Sequence, residues 1–363
     1  MKVVIAGGGT AGHVNPGLAL ARSLEGDEVS FLGTDRGAEA RLVPQRGYDL
    51  HRIEVRGFDR SHPLSIFATA AKAAGAVRAA RRKLRAIRPD AVVGMGGYVS
   101  LPASLAARSM GVPLVLHEQN IVFGLANRVA KPLAGHVAVS FEETLGSAGK
   151  RGVYTGNPVL PELTEVDLGA ARAAGLERWG LDGTKKTLLV FGGSQGAKSI
   201  NEAAAGLPSV WSDREDIQVL HITGLQEHDR ISGRVGSAGG RLVYRVIEYA
   251  DPMTEAYAVA DLALCRGGAT TVAELGVVGL PSIIVPYPYH RDKQQERHGR
   301  VLETAGAAVV VMDEEATPER IARQADAILG DDARRTAMRT ASKQLGRPDA
   351  GTRLAAIVRE AAR

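Results

Sequence analysis

Residues 264–295 read LCRGGATTVAELGVVGLPSIIVPYPYHRDKQQ. The run from Asp261 to Cys265 predicts the end of a buried strand, and Arg266-Gly267-Gly268 a tight turn after it. Thr270 to Val278 then predicts a helix, with Thr270 or Thr271 as its N-cap and Glu274 in its early turns. A helix start offers unsatisfied backbone N–H groups and the positive end of a dipole, which together suit an anion. A second apolar strand, Ser282 to Val285, ends in Pro286-Tyr287-Pro288-Tyr289-His290 and then Arg291-Asp292-Lys293-Gln294-Gln295. Two strand ends of one parallel sheet therefore carry a glycine turn, a carboxylate, two amides and several cations. Ligands of open α/β sheets bind at such carboxyl ends. An anion joined to a hydroxyl-rich group, such as a nucleotide sugar, fits these side chains.

The rest of the chain repeats this pattern. Its 363 residues suffice for two domains, and 45% apolar residues suffice for their cores. The 43 glycines gather at predicted strand ends, as phosphate-handling turns do. A lone cysteine, Cys265, excludes an intramolecular disulfide framework and fits a reducing compartment. The first residues enter a strand directly, without the shape of a signal peptide, and no apolar run has the length of a spanning helix. These features predict a cytosolic protein. A net charge of +5 favours anionic partners or is simply a solvated basic surface.

In the first half, Val3 to Ala6 predicts a strand, Gly7-Gly8-Gly9-Thr10-Ala11-Gly12-His13 a turn, and Pro16 to Leu24 a helix. Gly7, Gly9 and Gly12 match G-x-G-x-x-G, with Asp35 about twenty residues on, as in dinucleotide-binding proteins. His13 either faces a ligand as a base or caps and packs. Further strands are predicted at Glu28–Leu32, Leu50–Val55, Ala91–Gly94, Val112–Leu116 and His136–Ser140. Ser65 to Ile87 reads as a long helix with Leu64, Ile66 and Phe67 at its start and Arg78, Arg81, Arg82, Lys83, Arg85 and Arg88 in its second half. Such a helix is either a solvated face on a core element or a contact with an anionic bilayer. Met95-Gly96-Gly97-Tyr98 is a second glycine turn. His117-Glu118-Gln119-Asn120 follows a strand and reads as part of a ligand site. No second His or Cys stands at ligand spacing, so no metal site is predicted.

Asn157 to Asp182 reads as a linker. Strand–helix alternation resumes with Leu188–Phe191, the turn Gly192-Gly193-Ser194-Gln195-Gly196-Ala197, and strands at Gln218–Ile222, Leu242–Val246 and Ala307–Val311. Ala197 separates Gly196 from Lys198, so the P-loop pattern is not met. Two doubly wound α/β domains facing each other across a cleft follow, residues 1–160 and 161–345.

The five motifs Gly7–His13, Gly94–Tyr98, His117–Asn120, Gly192–Gly196, and Arg266–Glu274 with Asp292–Gln295 resemble, in order and over nearly the whole chain, the MurG family. These are the UDP-N-acetylglucosamine–undecaprenyl-pyrophosphoryl-muramoyl-pentapeptide glucosaminyltransferases. The resemblance implies a GT-B fold of two Rossmann-like domains, an acceptor- and membrane-facing one first and a donor-binding one second. It also implies a C-terminal helix, about residues 346–363, packed back on the first domain. The implied reaction moves N-acetylglucosamine from UDP-GlcNAc to the muramoyl 4-hydroxyl of lipid I with inversion, giving lipid II for the cell wall. It implies His13 and Glu274 as catalytic candidates, His13 as base and Glu274 accepting from ribose hydroxyls. It places Thr10, Ala11 and Gly12 near the reacting sugar and Asn120 across the cleft. Ser194 and Arg266 would face phosphate, Ala269, Thr270, Thr271, Val272 and Ala273 the nucleotide, Ala250 the uracil, and Gln294 with Gln295 the sugar hydroxyls. Backbone amides and helix dipoles can do much of this work, so a bound metal is not required by the sequence, and no cofactor is implied. The implied partners are UDP-GlcNAc, lipid I, the anionic inner leaflet of the cell membrane and other cell-wall synthesis proteins, with no nucleic acid. The implied location is peripheral, on the cytoplasmic face.

Three positions depart from the family pattern. Ala11 replaces a frequent glycine, Gly267 a common serine, and Leu160 an arginine that contacts the donor, for which Arg151 or Arg266 would substitute. Rival readings are a UDP-GlcNAc epimerase or macrolide-type glycosyltransferase on the same fold, a dinucleotide-dependent oxidoreductase, and a non-catalytic lipid- or nucleotide-binding protein.

Overall fold

The computed structural model describes residues 1–54, 66–193, 196–236, 240–290 and 292–363, and only the backbone of 66–72. The chain forms two compact units, residues 1–160 with 347–363, and residues 161–346. Each is built on a wholly parallel sheet.

The strands of the first unit are β1 (Lys2–Ala6), β2 (Glu28–Gly33), β3 (Asp49–Arg52), β4 (Ala91–Gly94), β5 (Leu114–Glu118), β6 (His136–Val139) and β7 (Gly152–Tyr154). Their order is β3-β2-β1-β4-β5-β6-β7, so the winding reverses between β1 and β4. Helices cover both faces of the sheet, and its strands are accordingly continuous apolar runs. Val4, Val92, Leu116 and Val137 bury one face under Ala80, Leu84, Ala103 and Ala107. Val3, Ile5, Val93 and Val115 bury the other under Val14, Leu18 and Leu354. Leu354 belongs to helix Ala350–Ala361, which returns to this unit at the end of the chain. Its Arg359 pairs with Asp27 at 3.0 Å, and Asp27 also holds the terminal amine of Met1. These two cations hold the Asp27 carboxyl below its ordinary range, against the upward push of burial.

The second unit contains β8 (Lys186–Phe191), β9 (Ile217–Ile222), β10 (Val243–Ile247), β11 (Leu262–Cys265), β12 (Ser282–Ile284) and β13 (Ala308–Val310). The order β10-β9-β8-β11-β12-β13 reverses between β8 and β11. Its core joins Leu188, Val190, Val219, Leu264 and Ile283 to Ile200, Trp211, Ile321 and Ile328.

Four sequence expectations shift. The first helix starts at Ala11, not Pro16, and runs to Ser23. Pro16 lies inside it, contrary to the usual exclusion of proline from helix interiors, so His13 sits on the helix's first turn. β5 extends through His117 and Glu118, because these two residues pair with Ala138 and Val139 of β6. Their polar side chains hid that continuation. The expected linker contains helix Leu168–Trp179, capped by Asp167, which accepts from the Gly169 and Ala170 amides. The helix of the opening stretch is Ala269–Val278, and its N-cap is Gly268 rather than Thr270 or Thr271. The expectations for Leu64, Ser194, Gln195 and Arg291, and for the side chains of Ile66 and Phe67, fall outside the described residues.

The returning helix makes a test of the first unit's core. Leu354 is fully buried. Leu354→Ala is expected to cost about 2–5 kcal/mol, the range for emptying a buried leucine site. Urea denaturation followed by unit-specific hydrogen exchange would assign the loss to residues 1–160. A variant as stable as the parent would remove the helix from that core.

Candidate active site

In the first unit the turns after β1 and β4 meet at the winding reversal. Gly97 lies in the left-handed region (φ +78°), and a Cβ there would stand 2.4 Å from the Gly8 carbonyl. Only glycine permits this approach. The β1 turn does not stand open as a dinucleotide loop would. The buried Glu39 carboxylate accepts from the Gly9 amide at 2.9 Å and from the Thr34 amide and hydroxyl at 3.0 and 2.8 Å. The Gly9 amide is therefore already taken by a side chain of the same unit. Glu39 carries no sequence signal of its own, because its neighbours match no motif.

Thr10 is the extended N-cap of helix Ala11–Ser23, and Ala11, Gly12 and His13 form its first turn. His13 is partly exposed. Its Nδ1 lies 3.0 Å from Gln119 Oε1, directly beyond the end of β5. Gln119 Nε2 reaches His117 Nδ1 at 2.9 Å, and His117 Nε2 reaches the Gly156 carbonyl at 3.1 Å. Burial pushes the His117 imidazole down to about 4, so it is neutral at pH 7. Asn120 follows, half-buried, and donates its side-chain amide to Glu118 Oε1 at 3.1 Å. Glu118 also accepts from the backbone amides of Asn120 and Gly124 and from Asn127 Nδ2. Four donors occupy this buried carboxylate, which therefore shapes the 119–124 loop. The structure thus gathers Thr10, Ala11, Gly12, His13 and Asn120 on neighbouring turns of one unit. Gln119, quoted in its motif but given no role there, joins them.

In the second unit the start of helix Ala269–Val278, whose N-cap Gly268 has no side chain, stands at the end of β11, on the reversal between β8 and β11. Ala269, Thr270 and Thr271 form its first turn, and Val272, Ala273 and Glu274 follow. Glu274 accepts from the Tyr257 hydroxyl at 2.7 Å. Although the residue keeps some surface, protein surrounds its carboxyl group. Desolvation pushes it up to about 7, against the lowering effect of the Tyr257 hydrogen bond. Gln294 opens helix Gln294–Thr304 and donates to Asp292 at 2.6 Å, while Gln295 Oε1 accepts from the Tyr287 amide. A Cβ at Gly267 would stand 2.4 Å from the Gln295 carbonyl, so the glycine that departs from the family serine lets the Gln294–Gln295 turn close on the β11 turn. Ala250 is buried beyond the end of β10, four residues before the helix that supplies Tyr257.

Arg266 is committed within the protein. It donates to the Val285 and Pro286 carbonyls, pairs with Asp313, reaches Ser199 Oγ at 3.0 Å and lies over the Tyr287 ring. Arg151 likewise donates to the Pro132 and Ala134 carbonyls. Leu160 packs against the first unit's core. Neither candidate substitute for the family arginine is therefore an uncommitted cation. Of the two catalytic candidates, His13 belongs to the first unit and Glu274 to the second. Among the described residues, no group of three His, Cys, Asp or Glu is placed to hold a metal ion.

Comparison with known proteins matches the two halves to two family models. Residues 3–139 match the glycosyltransferase family 28 N-terminal domain, and residues 187–354 its C-terminal domain. A Nocardioides protein named UDP-N-acetylglucosamine–N-acetylmuramyl-(pentapeptide) pyrophosphoryl-undecaprenol N-acetylglucosamine transferase is 42% identical, over 99% of this chain and 98% of its own. The Halothermothrix orenii protein of the same name is 38% identical over the whole of both chains. The crystal structure of Acinetobacter baumannii MurG superposes with a TM-score of 0.79 at 28% identity, covering 99% of each chain. With both halves matched and the likeness unbroken from end to end, the chain belongs to the MurG family of glycosyltransferases.

Proposed function

We propose that this protein transfers N-acetylglucosamine from UDP-GlcNAc to the muramoyl 4-hydroxyl of lipid I, with inversion, to give lipid II. The observation that carries the reading is the full-length identity of 38–42% with the named transferases, which spans both turn clusters. An epimerase on the same fold would need no acceptor, and the relatives at this identity carry the transferase name.

The chemistry is one displacement. The acceptor oxygen attacks the anomeric carbon, the bond to the diphosphate breaks, and UDP leaves with the electron pair. His13 takes the hydroxyl proton as general base. Thr10, Ala11 and Gly12 on the same turn, with Asn120, line the reacting sugars. The second unit holds the donor. Ala269 to Ala273 give the nucleotide a helix start whose N–H groups and dipole meet the diphosphate charge. Glu274 accepts from ribose hydroxyls, Ala250 touches the uracil, and Gln294 and Gln295 face the sugar. Arg266 acts by holding the β11 turn against Asp313 and the β12 end.

The acceptor is a membrane lipid, and no helix among the described residues is long and apolar enough to cross a membrane. We place the protein as a peripheral one on the cytoplasmic face, in reach of other cell-wall synthesis proteins, because its acceptor is a membrane lipid. Helix Ile66–Ile87 supplies the surface. Ala80 and Leu84 bury one side of it, and Arg78, Arg81, Arg82, Arg85 and Arg88 are exposed. Each such cation near an anionic surface is worth about 1 kcal/mol.

Three outcomes are expected. Acceptor-dependent UDP release from UDP-GlcNAc and a short-chain lipid I analogue should fall about 10²–10⁴-fold in His13→Ala, the share general-base catalysis supplies. Release without acceptor, or epimerisation, would overturn the transferase reading. Second, an ionised Glu274 accepts from ribose hydroxyls more strongly than a protonated one. UDP-GlcNAc has no titrating phosphate near neutrality, so its affinity by calorimetry should weaken as pH falls below about 7, by up to about tenfold per unit. Glu274→Gln should flatten that slope, and an unchanged slope would relieve Glu274 of the role. Third, Arg81, Arg82 and Arg85 changed together to Glu should abolish co-sedimentation with phosphatidylglycerol vesicles. Unaltered binding would move the membrane surface elsewhere.

A further inference from the structure

The contacts behind His13 form a line whose proton positions are fixed from both ends. At the far end, His117 Nε2 lies 3.1 Å from the Gly156 carbonyl, which can only accept. Nε2 therefore carries the proton, and the neutral ring of His117 has its lone pair on Nδ1. In the middle, one polar atom of the Gln119 amide lies 2.9 Å from that lone pair and 3.3 Å from the His117 carbonyl. Two acceptors face it, so it is the NH2 group. The other amide atom, Oε1, is then an acceptor, 3.0 Å from His13 Nδ1. His13 must present Nδ1–H to it. A neutral imidazole carries one proton, so the lone pair of His13 lies on Nε2, to which no described residue donates or accepts a hydrogen bond. The ring lies close beside Gly96, where an added Cβ would stand only 3.2 Å from His13 Cε1.

We propose that Gln119, oriented by His117, is a positioning residue that locks His13 in the Nδ1–H tautomer and so places the proton-accepting lone pair on Nε2. An unconstrained imidazole favours the opposite tautomer, whose lone pair would face Gln119 and could take no proton from a substrate. The line Gly156–His117–Gln119–His13 thus decides which nitrogen is basic. Its last link is a neutral amide. When the acceptor hydroxyl gives its proton to Nε2, its oxygen bonds to the anomeric carbon and UDP departs with the electron pair of the broken bond. The resulting imidazolium still donates from Nδ1 to Gln119 Oε1. No carboxylate lies in the line, because Glu118 spends both oxygens on Asn120, Gly124 and Asn127. The inference rests on the reading of His13 as base.

The test begins with the parent protein. Histidine labelled at both ring nitrogens, with the His13 signals assigned by their loss in His13→Ala, should show Nδ1 protonated and Nε2 unprotonated at pH 8. The reverse pattern overturns the proposal without any variant of the line. Gln119→Met, close in size but without the oxygen, should return His13 towards the Nε2–H form. It should also lower kcat about tenfold or more, within the about 10²–10⁴-fold available to base catalysis, and leave KM for UDP-GlcNAc unchanged. Gln119→Glu keeps an oxygen opposite Nδ1 and should retain the tautomer and more of kcat than Gln119→Met. Equal kcat in Gln119→Met and the parent, or loss of KM and thermal stability in both variants without a change of tautomer, assigns Gln119 a packing role only. Full turnover in His13→Ala with the Nδ1–H pattern intact in the parent would defeat the base reading and leave the tautomer lock standing.

Discussion

In a wholly parallel sheet every strand leaves by the same edge. Helices then start where strands stop, and unpaired backbone N–H groups and positive helix ends collect along one rim. Both sheets obey this constraint, and both reverse their winding at a point where two turns meet. The side chains then give the rims opposite characters. In the first unit a buried carboxylate, Glu39, lies against the β1 turn and spends its oxygens on that turn and on Thr34. In the second, an arginine is pinned beside the β11 turn and the helix start carries no side-chain cap. One architecture thus gives two rims of different side-chain chemistry.

Much of this was legible in the sequence. The apolar runs Val3–Ala6, Leu188–Phe191 and Leu262–Cys265 have one plausible state, and glycines beside them mark the turns. The winding and the two-unit division follow from the alternation. What misled was local chemistry overruled by tertiary partners. Pro16 is a poor helix interior residue, yet buried packing of Val14, Leu18 and Leu20 carries the helix through it. His117 and Glu118 look like loop residues, yet β6 supplies their strand partners. Asn157 to Asp182 looks like a linker because it opens on Asn157-Pro158 and a polar stretch, and only Asp167 announces the helix inside it. Glu39 was illegible, since its significance is a contact with Gly9 thirty residues away. Gln119 was visible as part of His117–Asn120, but its role depends on which of its amide atoms faces which neighbour.

A common device links the two rims. Three buried histidines, His117, His221 and His298, are all kept neutral by burial, the first and last pushed down to about 4 and His221 to about 3. Each bonds loop or strand backbone or a polar side chain at the rim: Gly156 and Gln119, Tyr244 and Asn201, Gly267. A neutral imidazole supplies one donor and one acceptor at fixed positions. It can therefore impose direction on a hydrogen-bonded line, which a carboxylate or an ammonium cannot.

The first unit encloses the second in the order of the chain, because residues 347–363 return to it after residue 346. During synthesis on a ribosome the seven strands of the first unit emerge early. The apolar face that Leu354, Ala355 and Val358 cover stays bare until residues beyond the whole second unit have emerged. The second unit has every strand and helix of its core in hand before that moment. The second unit can therefore close before the first is complete, and the unit bearing His13 waits for a helix made after residue 346.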